Sequence, residues 1–283
     1  MDKIILLPNR EKDPAFALSL RALAVLQRFC SRVYTDCCNE ELLQEGAVAF
    51  SADSFPTDAQ LILVLGGDGT MLHAAADAAR HDIPILGINI GRLGYLASLD
   101  PTELEMLDML ATDTYTEQKR MLLDVSVQKT NGEETPVGVA LNDMVIDGCG
   151  HLADLRLYEK QSYLDYRADG LIVATPTGST AYSLSAGGAV LDETMDALCV
   201  TPICPRSFFS RSLVFPPDTV LRILNMSTRG DTARVSLDGC TDIPLAAGDT
   251  VTVCRSSRYL RLVTLKPRRM LEVLSTKMNM QHF

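Results

Sequence analysis

Three glycines, a carboxylate and a hydroxyl are grouped in Gly66-Gly67-Asp68-Gly69-Thr70, between an apolar run and an alanine-rich segment. Glycine has no side chain, so phosphates can approach the backbone closely, and a helix that follows such a loop presents free N–H groups to an anion. The segment therefore predicts a phosphate site. It differs from the two common phosphate-binding patterns, Gly-x-x-x-x-Gly-Lys-Ser/Thr and Gly-x-Gly-x-x-Gly.

Asp68 is the unusual member of this loop, because a carboxylate repels phosphates. It would be compatible with them if it held Mg²⁺ or accepted a proton from an attacking hydroxyl. The alternative is a turn residue that only caps the following helix. The five residues by themselves leave these interpretations open.

A second polar segment, residues 175–185, follows the apolar stretch at residues 171–173. Its hydroxyls and small residues can form hydrogen bonds with a sugar or base, with Tyr182 as a stacking surface and Arg167 as a charge partner. An ordinary polar connection is the alternative. The concentration of small hydrogen-bonding groups between two apolar segments disfavours it.

Asn142-Asp143 precedes a short apolar strand at residues 144–146. An adjacent amide and carboxylate can hydrogen-bond a ribose diol as a fork. Considered alone, the pair is better explained as an ordinary turn before a strand.

Gly148-Cys149-Gly150-His151-Leu152-Ala153 fits the dinucleotide fingerprint Gly-x-Gly-x-x-Ala. The residues that follow alternate with a period of two, whereas the fingerprint requires the start of a helix. We therefore interpret this segment as a turn between strands.

The first half of the chain alternates strand-like and helix-like segments. The apolar run at residues 61–65 predicts a parallel strand that is buried on both faces, and Asp13-Pro14 predicts the start of a helix that continues to about Cys30. Further strands are expected at 3–7, 32–34 and 83–89, and further helices at 71–80 and 100–110. This order predicts an α/β domain with a parallel sheet.

From about Arg120 the pattern changes to strand-length segments separated by turn residues, at 123–128, 152–158, 220–224, 235–237 and 250–254. A mainly-β second domain is expected. Residues 270–278 have a helical pattern and are expected to return to the first domain. The predicted division is 1–119 together with 262–283, and 120–261.

The 283 residues carry a formal net charge of −10, which opposes nonspecific binding to nucleic acid because that affinity depends on Lys and Arg. No apolar run approaches the ~18 residues of a membrane span, and the N-terminus lacks a signal-peptide pattern, so we expect a cytoplasmic protein with no membrane partner. The eight cysteines include no Cys-x-x-Cys pair and the histidines form no cluster. Buried, reduced thiols and no structural metal site are expected.

Together, the Gly-Gly-Asp-Gly-Thr loop, Asn142-Asp143 and the block from Asp169-Gly170-Leu171 to Gly188 resemble the NAD kinase family over most of the chain. Residues 89–96 and Ser236-Leu237-Asp238-Gly239 are similar to further family segments. The first loop is shared with phosphofructokinases and diacylglycerol-type lipid kinases, whereas the block that ends at Gly188 is specific. The resemblance implies an α/β N-terminal domain, a C-terminal β domain of packed sheets, and a homodimer or homotetramer.

The resemblance also implies the reaction, which is transfer of the γ-phosphoryl group of ATP, with Mg²⁺, to the 2′-hydroxyl of the adenosine ribose of NAD. Asp68 would be the catalytic base. Asn142 and Asp143 would bind the ribose, and His73 would lie near phosphate. The full set of expected ligand contacts is Gly69, His73, Asn142, Asp143, Arg167, Asp169, Thr180, Ala181, Tyr182, Ser183, Leu184 and Ser185.

Two positions depart from the family pattern. Cys240 stands where many members have Gln, and Asp143 stands where Glu is also common. Two alternative functions are a lipid or sugar kinase that shares the first loop, and a non-catalytic NADP sensor. The polar block at residues 175–185 argues against the first, and the intact Asp68 argues against the second.

Overall fold

The structure is a computed structural model that describes residues 1–91, 94–206, 210–227, 233–240, 242–267 and 270–280, with the backbone alone at 277–280. The chain forms two compact units, one of Met1–Lys119 with Leu260–Phe283 and the other of Arg120–Tyr259. Each unit has a hydrophobic core of its own. Within the described part of the chain, no helix is both long and apolar enough to cross a membrane.

The first unit is built on parallel strands and the segments that connect them. In chain order these are β1 (Lys3–Pro8), α1 (Ala17–Leu26), β2 (Arg32–Asp36), α2 (Glu40–Gln44), β3 (Val48–Phe50), a 3₁₀ turn (Ala52–Ser54), β4 (Leu61–Gly66), α3 (Asp68–His81), β5 (Ile85–Asn89) and a 3₁₀ segment (Pro101–Leu110). The strand order is β3-β2-β1-β4-β5, and each neighbouring pair is parallel. Strand β4 is buried throughout. The loop that follows its C-terminal end lies at the carboxyl edge of the parallel sheet, where open α/β sheets bind ligands.

The second unit consists mainly of antiparallel strands. The elements are β6 (Thr116–Gln128), β7 (Glu134–Ala140), β8 (Asp143–Asp147), β9 (Ala153–Glu159), β10 (Ser162–Ala168), β11 (Gly170–Ala174), a 3₁₀ turn (Gly178–Thr180), α4 (Tyr182–Ser185), β12 (Leu198–Ile203), β13 (Leu213–Phe215), β14 (Leu221–Asn225), β15 (Ala233–Leu237), β16 (Ile243–Leu245) and β17 (Thr250–Thr264). One sheet has the order β13-β12-β11-β8-β15-β16, and β10-β9-β14-β17 form a second antiparallel layer. Alternate side chains of both layers, such as Ile146, Leu171, Leu155 and Ile223, form the core.

The last part of the chain belongs to the first unit. Leu262 of β17 pairs in parallel with Ile85 of β5, and the final helix, α5 (Met270–Met280), buries Val273. The fold class that the sequence predicts is therefore confirmed, with an α/β domain, a mainly-β domain and a returning C-terminal helix.

The first predicted helix is shorter than expected. It begins at Ala17 instead of Asp13-Pro14, because Phe16 is buried in a left-handed conformation with φ of 52°. Asp13 still caps the helix: its carboxylate accepts N–H groups of Leu18 at 3.2 Å and Ser19 at 2.9 Å. Packing of one aromatic ring thus overrides the local start signal.

Two other helix predictions also change. The segment at 101–110 is 3₁₀ with a non-helical Glu103, although Asp100 and Glu103 form the capping box that starts it. The Glu103 carboxylate also pairs with Lys266 at 2.6 Å. Helix α3 starts at Asp68, three residues before the predicted 71, so the glycine-rich loop contributes its first turn.

The expectation of buried thiols is wrong for most cysteines. Cys199 is buried and Cys30 and Cys254 are half-buried, whereas the exposed thiols are those of Cys37, Cys38, Cys149, Cys204 and Cys240. Four of these five follow or occupy turns, where the backbone lies at the surface. All eight are free thiols, with no disulfide bond.

Candidate functional site

The Gly-Gly-Asp-Gly-Thr loop forms the junction between β4 and α3. Gly66 ends the strand, and Gly67 is the N-cap of the helix in an extended conformation. A side chain at Gly66 would collide with Thr70, which also accepts a hydrogen bond from Asn9 Nδ2 at 2.8 Å. The loop therefore places the N-terminal end of α3 at the carboxyl edge of the parallel sheet, a position that favours anions.

Asp68 is the first residue of α3, and its carboxylate is held from outside the helix. Oδ2 accepts the N–H of Tyr95 at 2.8 Å, and Oδ1 accepts the N–H of Leu96 at 3.0 Å. A side chain at Gly94 would collide with this carboxylate. Gly67 occupies the N-cap position, so the interpretation of Asp68 as a simple helix cap does not describe the structure.

Gly69 and His73 lie four residues apart on α3 and therefore share a face. Both are exposed, and a Cβ at Gly69 would meet no atom within 4 Å. This face is open to a ligand. Of the family-like segment at residues 89–96, Arg92 and Leu93 lie outside the described residues.

Lys12 is a cation at this loop that the sequence reasoning missed. Its Nζ lies 2.5 Å from the position that a Cβ on Gly67 would occupy. Asn9 orders the segment, since its Oδ1 accepts the N–H of Lys12 at 3.1 Å and its own N–H donates to Leu65 O at 2.8 Å. Lys12 follows β1, the parallel neighbour of β4, and that adjacency is the signal that could have identified it.

In the second unit, Asn142 precedes β8 and Asp143 begins it. Asp143 is 5% exposed, and burial, together with the charge of Asp238, raises the pKa of its carboxyl to about 7. Burial also raises the pKa of Asp238, but three backbone N–H groups oppose that rise. The negative charge of the pair therefore resides on Asp238, and Asp143 holds a proton near neutral pH.

The block at residues 175–185 is more ordered than the predicted loop, with a 3₁₀ turn followed by α4. Several of its hydroxyls are buried within the fold: Ser179 Oγ donates to Pro176 O at 2.7 Å, and Ser183 Oγ lies 3.0 Å from Thr201 Oγ1. The Ser183 hydroxyl is thus engaged within the fold, and the expected contact of Ser183 with a ligand stays a prediction. The exposed members are Tyr182, Leu184 and Ser185, and Thr180 and Ala181 are half-buried.

Arg167 and Asp169 flank the junction of β10 and β11. Arg167 is largely exposed and lies 3.7 Å from Asp154, and Asp169 is exposed with its N–H bound to Ile203 O. The pKa of Tyr182 is raised first by burial and then by the charges of nearby groups, which include Asp143 and Asp169. The structure therefore brings Asp143, Asp169 and Tyr182 into one region of the second unit.

The apparent dinucleotide fingerprint at Gly148 is a turn, as predicted. Cys149 and Gly150 have φ of 54° and 84°, and strand β9 follows directly. Without a helix N-terminus, the segment cannot hold a pyrophosphate in the way that the fingerprint requires.

The sequence matches known proteins along nearly its whole length. Residues 5–115 match the ATP-NAD kinase N-terminal domain, and residues 141–265 match the ATP-NAD kinase C-terminal domain. The NAD kinase of Agathobacter rectalis is 36% identical over 285 residues, covering 98% of this chain and 99% of that protein. The NAD kinase of Natranaerobius thermophilus is 34% identical over 282 residues, with 98% of each chain covered.

Solved structures agree with this match. A yeast NADH kinase in complex with NADH has a TM-score of 0.80 at 25% identity, covering 97% of this chain and 86% of that one. An Archaeoglobus fulgidus NAD kinase in complex with ATP shares the fold, with a TM-score of 0.70, and covers 97% of this chain and 98% of that one. The chain thus combines an α/β unit, which carries an acidic glycine-rich loop, with a mainly-β unit. This combination defines a kinase that acts on a nucleotide. The chain belongs to the NAD kinase family.

Replacement of Asp143 by Asn should stabilise the protein at high pH more than at low pH. Native Asp143 keeps a proton that the unfolded chain releases near pH 4, so the free energy of unfolding of the parent falls as pH rises towards 7. Asn has no proton to release, so the free energy of unfolding of the variant does not fall in this way as pH rises. The stability difference between variant and parent should widen by on the order of 2 kcal/mol between about pH 5 and pH 8.

Denaturant unfolding of both proteins across this pH range measures the difference. Asp169→Asn, at an exposed carboxylate of the same unit, is the matched control. A gap between Asp143→Asn and the parent that stays constant with pH would show that Asp143 is not protonated in the native protein.

Proposed function

We propose that this protein transfers the γ-phosphoryl group of ATP to the 2′-hydroxyl of the adenosine ribose of NAD, giving NADP and ADP. The observation that carries the proposal is the fixed carboxylate of Asp68, at the N-terminus of α3 inside a glycine-rich loop. A phosphate loop needs no carboxylate to bind phosphate. In a kinase, such a carboxylate can accept the proton of the attacking hydroxyl.

In the proposed mechanism, Asp68 takes the proton of the ribose 2′-hydroxyl while that oxygen attacks the γ-phosphorus. The new O–P bond forms as the bond from the γ-phosphorus to the bridging oxygen of ADP breaks, and the proton passes from Asp68 to solvent. Phosphoryl transfer depends chiefly on positioning and charge neutralisation. The two N–H donors of Tyr95 and Leu96 supply the positioning of the base.

Mg²⁺ is proposed to enter as part of the ATP substrate. Among the described residues, no group of three or more His, Cys, Asp or Glu side chains could hold a metal ion. Mg²⁺ commonly binds through one or two carboxylates plus substrate phosphates, so the donors present fit an ion that the triphosphate carries. When bound, it neutralises charge on the triphosphate.

The dinucleotide is proposed to contact the second unit through Asn142 and Asp143 at the ribose, with Tyr182 as a stacking surface. Its exposure and its proximity to Tyr182 support Asp169 as a further contact, and exposure supports Arg167, Leu184 and Ser185. The half-buried Thr180 and Ala181 complete the proposed set. Gly69 and His73 are proposed to face phosphate. Ser183 belongs to the proposed set as well, with its hydroxyl packed against Thr201.

A cytoplasmic location and a homodimer or homotetramer complete the proposal. Eight free cysteines suit a reducing compartment. The resemblance to the NAD kinase family is what supports self-association. Light scattering on the purified protein measures the subunit number.

Incubation with ATP, Mg²⁺ and NAD, followed by assay of NADP with an NADP-specific dehydrogenase, tests the reaction. NADP and ADP should form in equal amounts. ADP that forms only with a sugar or diacylglycerol as acceptor would instead indicate the lipid or sugar kinase, and NADP binding without any ADP would indicate the sensor.

Replacement of Asp68 by Asn should lower kcat by about 10²–10⁴-fold, the usual effect of losing a general base. NAD binding, measured by calorimetry, should persist because the proposed dinucleotide contacts lie in the second unit. Asp77→Asn, at an exposed carboxylate on the same helix, is the control and should retain kcat. Near-normal turnover of Asp68→Asn would exclude Asp68 as the base.

Replacement of Lys12 by Ala should raise KM for ATP about three- to tenfold, because a partly exposed cation bound to phosphate contributes modestly. KM for NAD should change little. Lys12→Arg should recover most of the affinity, and the effect should shrink at high salt. Arg10→Ala is the matched control, since Arg10 of the same segment contacts Cys38 O and Glu41 instead. Equal changes in both KM values would contradict a specific phosphate contact.

A further inference from the structure

We propose that Asp238 is a positioning residue of the dinucleotide site, which fixes the backbone of residues 141–143 and so aims the side chains of Asn142 and Asp143 at the ribose of NAD. The inference rests on the proposed function and deepens it. Asp238 lies in a family-like segment for which the sequence suggests no role.

The Asp238 carboxylate binds three consecutive backbone N–H groups. Oδ2 accepts from Leu141 at 2.8 Å, and Oδ1 accepts from Asn142 at 2.7 Å and from Asp143 at 3.0 Å. Asp238 itself has φ of 50°, directly after β15, and its own N–H donates to Asp143 O at 3.0 Å. The turn after β15 is therefore joined to the start of β8 by four hydrogen bonds of Asp238.

Thr175 binds the carbonyl groups of the same segment. Its Oγ1 donates to Leu141 O at 2.5 Å, and its N–H donates to Asn142 O at 2.9 Å. Thr175 is fully buried, and a side chain at Gly178 would collide with the carbonyl oxygen of Asn142. Each of the six backbone polar groups of residues 141–143 thus has a partner in Asp238 or Thr175.

A backbone segment that is saturated in this way cannot rotate without breaking several hydrogen bonds in a buried site, where each loss is costly. The side chains of Asn142 and Asp143 are then the groups of this segment that remain for a ligand. Thr175 belongs to the polar block for which the sequence predicts contacts with a sugar or base. Its hydroxyl would act on the sugar indirectly, by binding the carbonyl group of Leu141.

The charge of Asp238 also acts on Asp143. The titratable groups that face Asp143 are Asp238, from the turn after β15, and Tyr182, from α4. The three N–H dipoles favour the ionised form of Asp238, and that charge disfavours a second one on Asp143. Asp143 can then donate an O–H to a ribose oxygen while Asn142 donates and accepts.

Asp238→Asn tests the proposal. An amide has a single acceptor oxygen and adds two donors that face the N–H groups, so the segment should lose its fixed orientation. KM for NAD should rise about tenfold or more, since hydrogen bonds to a charged group are lost, while KM for ATP stays unchanged. The pH at which KM for NAD changes should also move to a lower value, because Asp143 no longer faces a negative charge. A purely structural role would not move this pH profile.

Thr175→Val and Thr175→Ser provide a second measurement if Asp238→Asn does not fold. Thr175→Val removes the hydroxyl with little change of shape and should raise KM for NAD about two- to tenfold, and Thr175→Ser should recover most of the affinity. Asp242→Asn, at an exposed carboxylate that pairs with Arg234, is the matched control.

The outcomes separate the two proposals. A parent protein that makes no NADP would overturn the proposed function. A parent that makes NADP, with an Asp238 variant whose KM values rise equally or whose pH profile is unchanged, would overturn only the positioning role. The same holds if Thr175→Val and Thr175→Ser have equal effects.

Discussion

Backbone N–H groups hold the two aspartates to which we assign the chemistry of this protein. In the first unit, Tyr95 and Leu96 bind both oxygens of Asp68, and in the second unit three consecutive N–H groups bind Asp238. Backbone donors are fixed by the fold, so they orient a carboxylate without the freedom of a long cationic side chain. One of these aspartates is proposed to act on the substrate directly, and the other acts on its neighbours.

A net charge of −10 must be reconciled with two anionic substrates. The structure concentrates favourable potential locally, through the N-terminal end of α3 and the ammonium group of Lys12 beside Gly67. Asp68 lies at the same helix terminus, where the dipole favours a carboxylate and a phosphate alike. In the proposed complex, the acid and a phosphate would share one positive region, and a cation carried by ATP would relieve the repulsion between them.

The sequence predicts those parts of the fold in which local pattern and burial agree. The run at residues 61–65 is a covered parallel strand, and the turn at Gly148 is confirmed as a turn. Phe16 shows the limit, because a buried ring forces a left-handed residue where Asp13-Pro14 favours a helix. The link from Asp238 to Leu141 spans 97 positions, and no local pattern encodes such a contact. The sequence also does not predict that the Thr175 hydroxyl binds the backbone of Leu141 inside the fold.

The first unit is assembled from two separate stretches of chain, and its parallel sheet gains Leu262 beside Ile85 only from the second stretch. This second stretch is synthesised last, because β17 runs from the mainly-β unit directly into it. Until then, the edge of β5 lacks its partner at Ile85, although Ser98 and Leu99 already bind Gly87 and Asn89 farther along the strand. A chain truncated near residue 260 would therefore contain every residue proposed to contact a substrate, yet the sheet beneath the acidic loop would lack the strand that completes it at Ile85.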